Sequence, residues 1–165
     1  MRFYRHRMII VYDTREQRPL SFKRYKKVDG TSRITLKTGD YSVRGYEDKI
    51  SIERKSAIDL FGTLGKGSER FKKELLRARD LDFFGMVIES PYDEIRDKTF
   101  KNAFRSKMRG DVILKRLHTM MVKYRMHVFF ARSRSEATGW IVRTFDSYIR
   151  FKEKEDSVIR KVLQT

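Results

Sequence analysis

The sequence has no cysteine, two prolines and one tryptophan among its 165 residues. Without cysteine, the chain forms neither disulfide bonds nor thiolate metal sites. Long hydrophobic runs are also missing near the N-terminus, because Met8 to Val11 is too short for a signal-peptide core or a membrane span. We therefore expect no membrane partner and an intracellular location, in the cytoplasm or nucleoid of a prokaryotic or phage-infected cell.

Negative charge is scarce as well. The chain has 39 Lys and Arg against 22 Asp and Glu, so its formal net charge is +17 at pH 7. Basic side chains release condensed counterions when they bind a polyanion, so this excess is expected of a nucleic-acid-binding protein. Acidic membranes and acidic proteins also attract basic chains, and charge alone leaves those partners open.

The hydrophobic pattern predicts one α/β domain over residues 1–165. Short apolar or alternating runs predict strands, and longer runs with helical spacing predict helices. The expected strands are 8–12, 33–37, 49–55, 83–89 and 127–131, with connections at 13–32 and 41–48. The expected helices begin at Ala57 with Ser56 as N-cap, resume at Glu69 after a glycine-rich break at 62–68, and then cover 111–125 and 136–154.

Two carboxylates and a lysine near the third of these strands suggest a site that cuts a phosphodiester. Glu53 and Lys55 are two residues apart on the strand, so their side chains should project to the same face. Arg54 should face the other way and form a salt bridge, and Asp40 ends a turn-like segment upstream. Mg²⁺ usually binds one or two carboxylates, and a nearby lysine can orient water or stabilise transition-state charge. The alternative is a solvated Glu-Lys pair on a surface strand, which is common.

Four groups of residues follow one another in a recognisable order: Asp13-Thr14-Arg15-Glu16, Gly39-Asp40-Tyr41, Glu53-Arg54-Lys55 with Asp59 downstream, and Arg70 after the glycine-rich break. In this order, the chain from about Ile9 to Glu89 resembles the nuclease domain of the XPF family of structure-specific endonucleases, which includes the archaeal Hef protein. That domain belongs to the PD-(D/E)XK superfamily. The resemblance therefore implies a restriction-endonuclease-like fold, with a central mixed sheet flanked by helices.

The resemblance also implies roles for individual residues. It makes Asp40 and Glu53 metal ligands, together with Asp13, and it makes Lys55 the catalytic lysine. Glu16 is a further acidic residue near the metal. The family positions that support the site or contact phosphate are matched by Arg15, Arg54, Asp59 and Arg70. The implied cofactor is Mg²⁺ or Mn²⁺.

The expected function is metal-dependent cleavage of DNA, at branched or flap-like structures. Larger members of the family carry helix-hairpin-helix and helicase domains, which are not expected here. A homodimer or a separate DNA-binding partner is therefore expected to help hold the DNA. A Holliday-junction resolvase, which uses the same site chemistry, is the alternative among enzymes. A non-catalytic nucleic-acid-binding module with a nuclease fold is the alternative from another class.

Basic loops at 18–33 and 96–109 are the candidates for holding the DNA backbone. The residues expected to contact DNA are Arg18, Lys23, Arg24, Lys66 and Arg70. Tyr92, Phe100 and Phe104 are interleaved with basic residues. They either stack on unpaired bases or pack in the core, and the general burial tendency of aromatic residues favours the core.

The remaining conspicuous residues have structural explanations. The three histidines, His6, His118 and His127, share no metal-ligand spacing and are expected to be structural. The last helix carries an apolar stripe that includes Trp140 and Phe145. This stripe is expected to pack on the sheet, and dimerisation is the alternative.

Overall fold

The computed structural model describes residues 7–163 and confirms the predicted α/β architecture, with a mixed sheet between helices. The strands in these residues are β1 (Met8–Asp13), β2 (Val28–Ile34), β3 (Tyr41–Val43), β4 (Ile50–Lys55), β5 (Phe83–Ile88) and β6 (His127–Phe130). The helices are α1 (Ala57–Leu64), α2 (Ser68–Ala78), α3 (Tyr92–Asp97), α4 (Gly110–Tyr124) and α5 (Arg134–Leu163), with a 3-10 turn at Ala103–Arg105. The prediction for His6 lies outside the described residues.

Two strands differ from the sequence-based prediction. β2 lies earlier than the predicted 33–37, because parallel pairing with β1 overrides the turn-forming residues Asp29 and Gly30. β3 lies within the segment 41–48, which was expected to be a connection. With three residues, it is too short to show the alternation of a strand. Both corrections concern segments whose strand conformation depends on their neighbours in the sheet.

The helices agree with the sequence where their apolar spacing is strong. Ser56 caps α1 as predicted, and its Oγ accepts the backbone N–H of Asp59 at 3.2 Å. The glycine-rich break also separates α1 from α2. α5 is longer than the predicted 136–154 at both ends. Ion pairs between successive turns, such as Lys152 with Glu155 at 3.0 Å, support its charged final part.

The sheet brings several strand ends to one edge. Its order is β2-β1-β3-β4-β5-β6. β1 runs parallel to β2 and antiparallel to β3, β3 runs antiparallel to β4, and β4, β5 and β6 are parallel. β3 therefore begins at the edge where β1, β4 and β5 end. We call this edge the carboxyl edge.

Alternation along the strands sorts side chains between two apolar clusters, one on each face of the sheet. Three side chains of β5 pack against α1, α2 and α4, whereas its Val87 packs against α5. Ile50 and Ile52 of β4 belong to the α5 cluster. The alternate residues Glu53 and Lys55 therefore point to the α1 face, at the carboxyl edge.

α5 covers the opposite face, as predicted. Its Ile141 and Phe145 are fully buried, and Trp140 stacks on Phe129 of β6 with ring centroids 5.2 Å apart. Between residues 7 and 163, none of the helices combines the length and the apolar character needed to cross a bilayer.

Candidate active site

Seven of the nine residues to which the resemblance assigns a role line one cavity at the carboxyl edge. The cavity has a volume of about 210 Å³. Its lining consists of Arg15, Glu16, Asp40, Glu53, Arg54, Lys55, Ser56 and Asp59. The other two, Asp13 and Arg70, are absent from this lining. Residues far apart in the sequence thus meet because β1, β4 and the turn before β3 all reach this edge.

Asp40 is positioned by an unusual turn. Gly39 has a φ of +76°, and a Cβ at this position would lie 2.2 Å from the Oγ of Ser51. Only glycine avoids both the strained backbone and this clash. The Asp40 N–H donates to the Ile52 carbonyl at 3.0 Å, and the Arg54 N–H donates to Asp40 Oδ2 at 2.8 Å. The backbone therefore holds the carboxylate of Asp40 beside β4.

Glu53 and Lys55 project together, as the strand periodicity predicts. The Nζ of Lys55 lies 2.5 Å from Glu53 Oε1. The Glu53 side chain is only 7% exposed and that of Lys55 only 19%. This burial distinguishes the pair from the solvated Glu-Lys pairs that are common on surface strands, whose contribution is small.

The cavity has more negative charge than its own residues neutralise. Burial raises the pKa of Glu53, and the adjacent Asp40 raises it further, against the opposing effect of Lys55. Burial likewise raises the pKa of Asp40, despite the N–H donated by Arg54. Burial would lower the pKa of Lys55, but the nearby Glu53 and Asp40 raise it above its ordinary value. Asp40, Glu53 and Lys55 therefore influence one another's ionisation within the cavity.

Arg54 points to the other face and forms the predicted salt bridges. Its Nε and Nη2 donate to Glu89 at 2.7 and 3.2 Å, and its Nη1 donates to Glu16 at 3.0 Å and to the Arg18 carbonyl at 3.2 Å. Glu16 Oε2 also accepts the Tyr41 hydroxyl at 3.3 Å. Arg54 thereby ties β4 to the end of β5 and to the loop after β1.

Asp13 is held by hydrogen bonds from Arg15 and Leu36. Its Oδ1 accepts the backbone N–H of Arg15 at 2.8 Å and the side-chain Nε at 2.6 Å, and its Oδ2 accepts the Leu36 N–H at 2.8 Å. Burial would raise the pKa of Asp13, but these hydrogen bonds hold it below its ordinary value. Arg15 is 72% exposed and lines the cavity. Asp13 thus fixes the loop that carries Arg15 and Glu16.

Asp59 closes the cavity from the first turn of α1. It accepts a hydrogen bond from the Ser56 hydroxyl at 2.5 Å, while its own backbone N–H donates to that hydroxyl. The side chain is therefore held at the helix N-terminus, where the dipole favours negative charge.

The predicted DNA contacts differ in how free their side chains are. Arg18, Lys23, Lys66 and Arg70 are exposed. Arg24 instead donates to the Oγ and carbonyl of Ser135, at 2.5 and 3.1 Å, and lies over the ring of Tyr25. Its observed partners attach the loop after β1 to the start of α5.

Two further carboxylates contact residues of the candidate site, and neither was assigned to it from the sequence. Glu74 of α2 accepts the Gly39 N–H at 3.3 Å, and its charge raises the pKa of Asp40, after burial and together with Glu16. Its i,i+4 spacing from Arg70 was the available signal, because such residues share a helix face. The second is Glu89, which was expected only to end a strand. Its role as a partner of Arg54 depends on the pairing of β4 with β5.

Comparison with known proteins identifies a family and a fold. Residues 12–144, more than half of the chain, match the model of the ERCC4 domain. Similar solved structures include XPF from Aeropyrum pernix, at 17% identity and a TM-score of 0.66, and XPF from Aeropyrum pernix in complex with DNA, at 18% and 0.63. These matches cover 85% and 90% of this chain but 61% and 66% of those chains. A search of curated protein sequences gave no significant match.

At these identities, the structural similarity concerns the fold. It confirms the predicted architecture, a mixed sheet flanked by helices, and the sheet has six strands where the sequence predicted five. The chain spans less than two thirds of the length of the two XPF chains. The extent of the family match confirms the resemblance found in the sequence, and the chain belongs to the ERCC4 domain family, with the fold of the XPF nuclease domain.

Proposed function

We propose that the chain is a metal-dependent DNA endonuclease whose catalytic residues are Asp40, Glu53 and Lys55. The observation that carries this proposal is the convergence of these side chains in one cavity, where Lys55 forms an ion pair with Glu53 and Asp40 lies near enough to raise the pKa of Lys55. Membership of the ERCC4 domain family supports the same conclusion.

The donor set fits Mg²⁺ or Mn²⁺. Within residues 7–163, no group of three or more Asp, Glu, His or Cys side chains is arranged to hold a metal ion. Mg²⁺ commonly binds through one or two carboxylates and keeps water and substrate phosphate as its other ligands. Asp40 and Glu53 would hold such an ion, and Asp13, whose oxygens are already bonded, would support the loop instead. When bound, the ion neutralises phosphate charge and lowers the pKa of coordinated water.

The other residues of the cavity would act on the water and on the phosphate. Lys55 has three N–H donors and is held by Glu53, so it can orient the attacking water and stabilise the negative charge that develops at phosphorus. Arg15 is largely exposed beside the cavity and would contact a neighbouring phosphate. Arg54 would keep Glu16 and the strand ends in place, because its donors are occupied by protein acceptors.

DNA is the proposed polyanion. The net charge of +17 favours it, and one similar structure, that of the A. pernix XPF, is a complex with DNA. Arg18, Lys23, Lys66 and Arg70 are exposed and available to phosphates. We further propose that this domain cleaves branched or flap-like DNA inside the cell. It would act as a homodimer or together with a DNA-binding partner.

The test is cleavage of end-labelled duplex, flap, fork and four-way DNA, with and without Mg²⁺ or Mn²⁺. We expect cutting only with a divalent ion. Asp40→Ala and Lys55→Ala should each reduce the rate by about 10³-fold, because each removes a group that acts on the transition state. DNA binding, measured by fluorescence anisotropy, should be retained.

The outcomes separate the alternatives. Cleavage of four-way DNA in preference to flaps and forks would favour a junction resolvase. Binding without cutting under any divalent ion would show a non-catalytic nucleic-acid-binding module. If both variants cut at the wild-type rate, the assignment of the catalytic residues is wrong.

A further inference from the structure

A second cavity adjoins the candidate active site. It has a volume of about 640 Å³, within the size range of small-molecule sites, and it shares Asp59 with the catalytic cavity. α1, the glycine-rich break and the end of the segment 98–108 line it. A ligand in contact with Asp59 would therefore adjoin the proposed cleavage site.

The chemistry of this cavity suits a nucleotide. Its apolar floor is formed by Ile58, Phe61 and Met108. Its basic lining is supplied by Lys66, Arg105 and Lys107. An apolar surface accepts the face of a base, and cations around it accept the phosphates on either side. A paired base inside a duplex cannot use such a surface, because both of its faces are already stacked.

The segment 98–108 is held in a defined conformation. Lys98 and Asn102 both adopt left-handed backbone angles, with φ of 57° and 66°. Non-glycine residues rarely adopt this conformation, and here neighbouring contacts maintain it. Lys98 Nζ donates to the Ser106 carbonyl at 2.6 Å, and the Arg116 Nη1 donates to the Leu64 carbonyl at 2.7 Å on the opposite side of the break. The cavity is therefore largely formed before any ligand binds.

Phe104 lies in the 3-10 turn that leads into the lining of this cavity. Phe100 of the same segment is 8% exposed and packs in the core, whereas Phe104 is 84% exposed and immediately precedes Arg105 of the lining. The expectation of core packing is thus met by Phe100 and contradicted by Phe104, because the 3-10 turn directs Phe104 outward. It also fails for Tyr92, which is 42% exposed. An exposed aromatic ring among Lys and Arg side chains is suited to stacking on a base.

Building on the proposed function, we propose that this cavity binds an unpaired nucleotide next to the cleaved phosphodiester, with Phe104 stacking on a base. Lys66 and Arg105 would hold its phosphates. The enzyme would then select DNA that has a single-stranded segment beside the cut, and the choice would be made by this chain itself.

The test compares two substrates of equal length, a continuous duplex and a duplex with unpaired 2-aminopurine next to the cleavage site. Binding is followed by 2-aminopurine fluorescence without divalent ions, and cleavage is followed with Mg²⁺. For wild type, we expect quenching of the unpaired base and faster cutting of that substrate. Phe104→Ala should remove the quenching and slow this cleavage about tenfold, with little change on continuous duplex.

Phe151→Ala is the matched control. Phe151 is also an exposed aromatic residue, at 57%, but it lies near the start of β4 and β5, away from the carboxyl edge. Lys66→Ala should weaken binding to both substrates. The inference would be overturned if Phe104→Ala and Phe151→Ala gave the same quenching and the same cleavage rates. It would also be overturned if Phe104→Ala slowed cleavage of both substrates equally.

The design separates failure of this inference from failure of the proposed function. If wild type quenches the unpaired base but never cuts, the nucleotide site stands and the nuclease assignment fails. If wild type cuts with Mg²⁺ but Phe104→Ala leaves both quenching and rate unchanged, the nuclease assignment stands and the nucleotide site is wrong.

Discussion

Arg54 and Lys55 are neighbours on β4, and each faces two carboxylates on its own side of the sheet. Arg54 satisfies Glu89 through two donors and Glu16 through a third, so this network is closed. Lys55 is a compact charge that pairs with Glu53 while Asp40 is held mainly by backbone. Both groups have one cation and two carboxylates, but Arg54 contacts both of its carboxylates, whereas the ion pair of Lys55 is with Glu53.

With the proposed function, the difference would let one strand serve both stability and catalysis. A planar guanidinium with fixed donors suits a network that must hold three elements together. An ammonium group that leaves its neighbours incompletely neutralised suits a site that receives a cation and a phosphate. The following predictions test this contrast, starting with the largest expected effect.

The largest difference is expected between Arg54→Met and Lys55→Met. Arg54→Met leaves Glu16 and Glu89, whose side chains are 11% and 14% exposed, without their counter-charge. We expect it to lower the free energy of unfolding by about 3–5 kcal/mol. Lys55→Met should lower the free energy of unfolding much less at neutral pH, because Glu53 can take up a proton. Cleavage should nevertheless be lost. Urea unfolding of both variants measures this, and equal losses of stability would contradict the contrast.

A smaller effect is expected at the turn that carries Asp40. Gly39 and Gly45 both have positive φ, of +76° and +88°, but only Gly39 is confined, since a Cβ at Gly45 would meet nothing within 4 Å. Gly45→Ala should therefore cost about 1 kcal/mol for backbone strain alone. Gly39→Ala should cost about 1–3 kcal/mol more, because the new methyl group overlaps Ser51, and it should also reduce cleavage. Similar unfolding midpoints for the two variants would show that the turn is not tightly packed.

The unneutralised carboxylates should make metal-free stability depend on pH. Burial raises the pKa of Asp40 from 3.8 to about 6, and it raises the pKa of Glu53 as well. Between the ordinary and the raised pKa values, the folded protein therefore binds more protons than the unfolded chain. Its free energy of unfolding falls as the pH rises through this range. The lowered pKa of Asp13 acts oppositely, but only in more acidic solution.

Thermal unfolding in EDTA between pH 4 and 8 measures this dependence. Asp40→Asn should make the unfolding midpoint depend less steeply on pH. Mg²⁺ should stabilise wild type more at pH 8 than at pH 5. A metal-free midpoint that rises steadily over this range, or an Asp40→Asn slope equal to that of wild type, would be the contrary result.

The smallest effect is expected for Glu74→Gln. The amide retains an acceptor for the Gly39 N–H but removes the charge near Asp40. We expect about tenfold more Mg²⁺ to be needed for half-maximal cleavage, with unchanged stability. Glu69→Gln, an exposed position on the same helix, is the control. If Glu74→Gln needs no more Mg²⁺ than Glu69→Gln, only the hydrogen bond of Glu74 matters.

Short-range rules predict only part of the candidate site. Strand alternation placed Glu53 and Lys55 on one face and Arg54 on the other, whereas Asp59 and the residues after β1 were assigned by the family resemblance. The rest depends on contacts between distant segments. Glu74 reaches the site only when α2 packs beside the turn at Gly39, and the strand conformation of β2 depends on pairing with β1. α3 and the 3-10 turn lie in a stretch without periodicity, so the exposure of Phe104 could not be predicted.

The central claim is that Asp40 and Glu53 jointly hold a divalent cation. Isothermal titration of Mn²⁺ into wild type and into the Asp40→Asn/Glu53→Gln variant tests it most directly, with circular dichroism to show that both are folded. We predict one binding event in wild type, with protons released as the carboxyl groups ionise, and none at this site in the variant. Equal Mn²⁺ binding by both proteins would contradict the account.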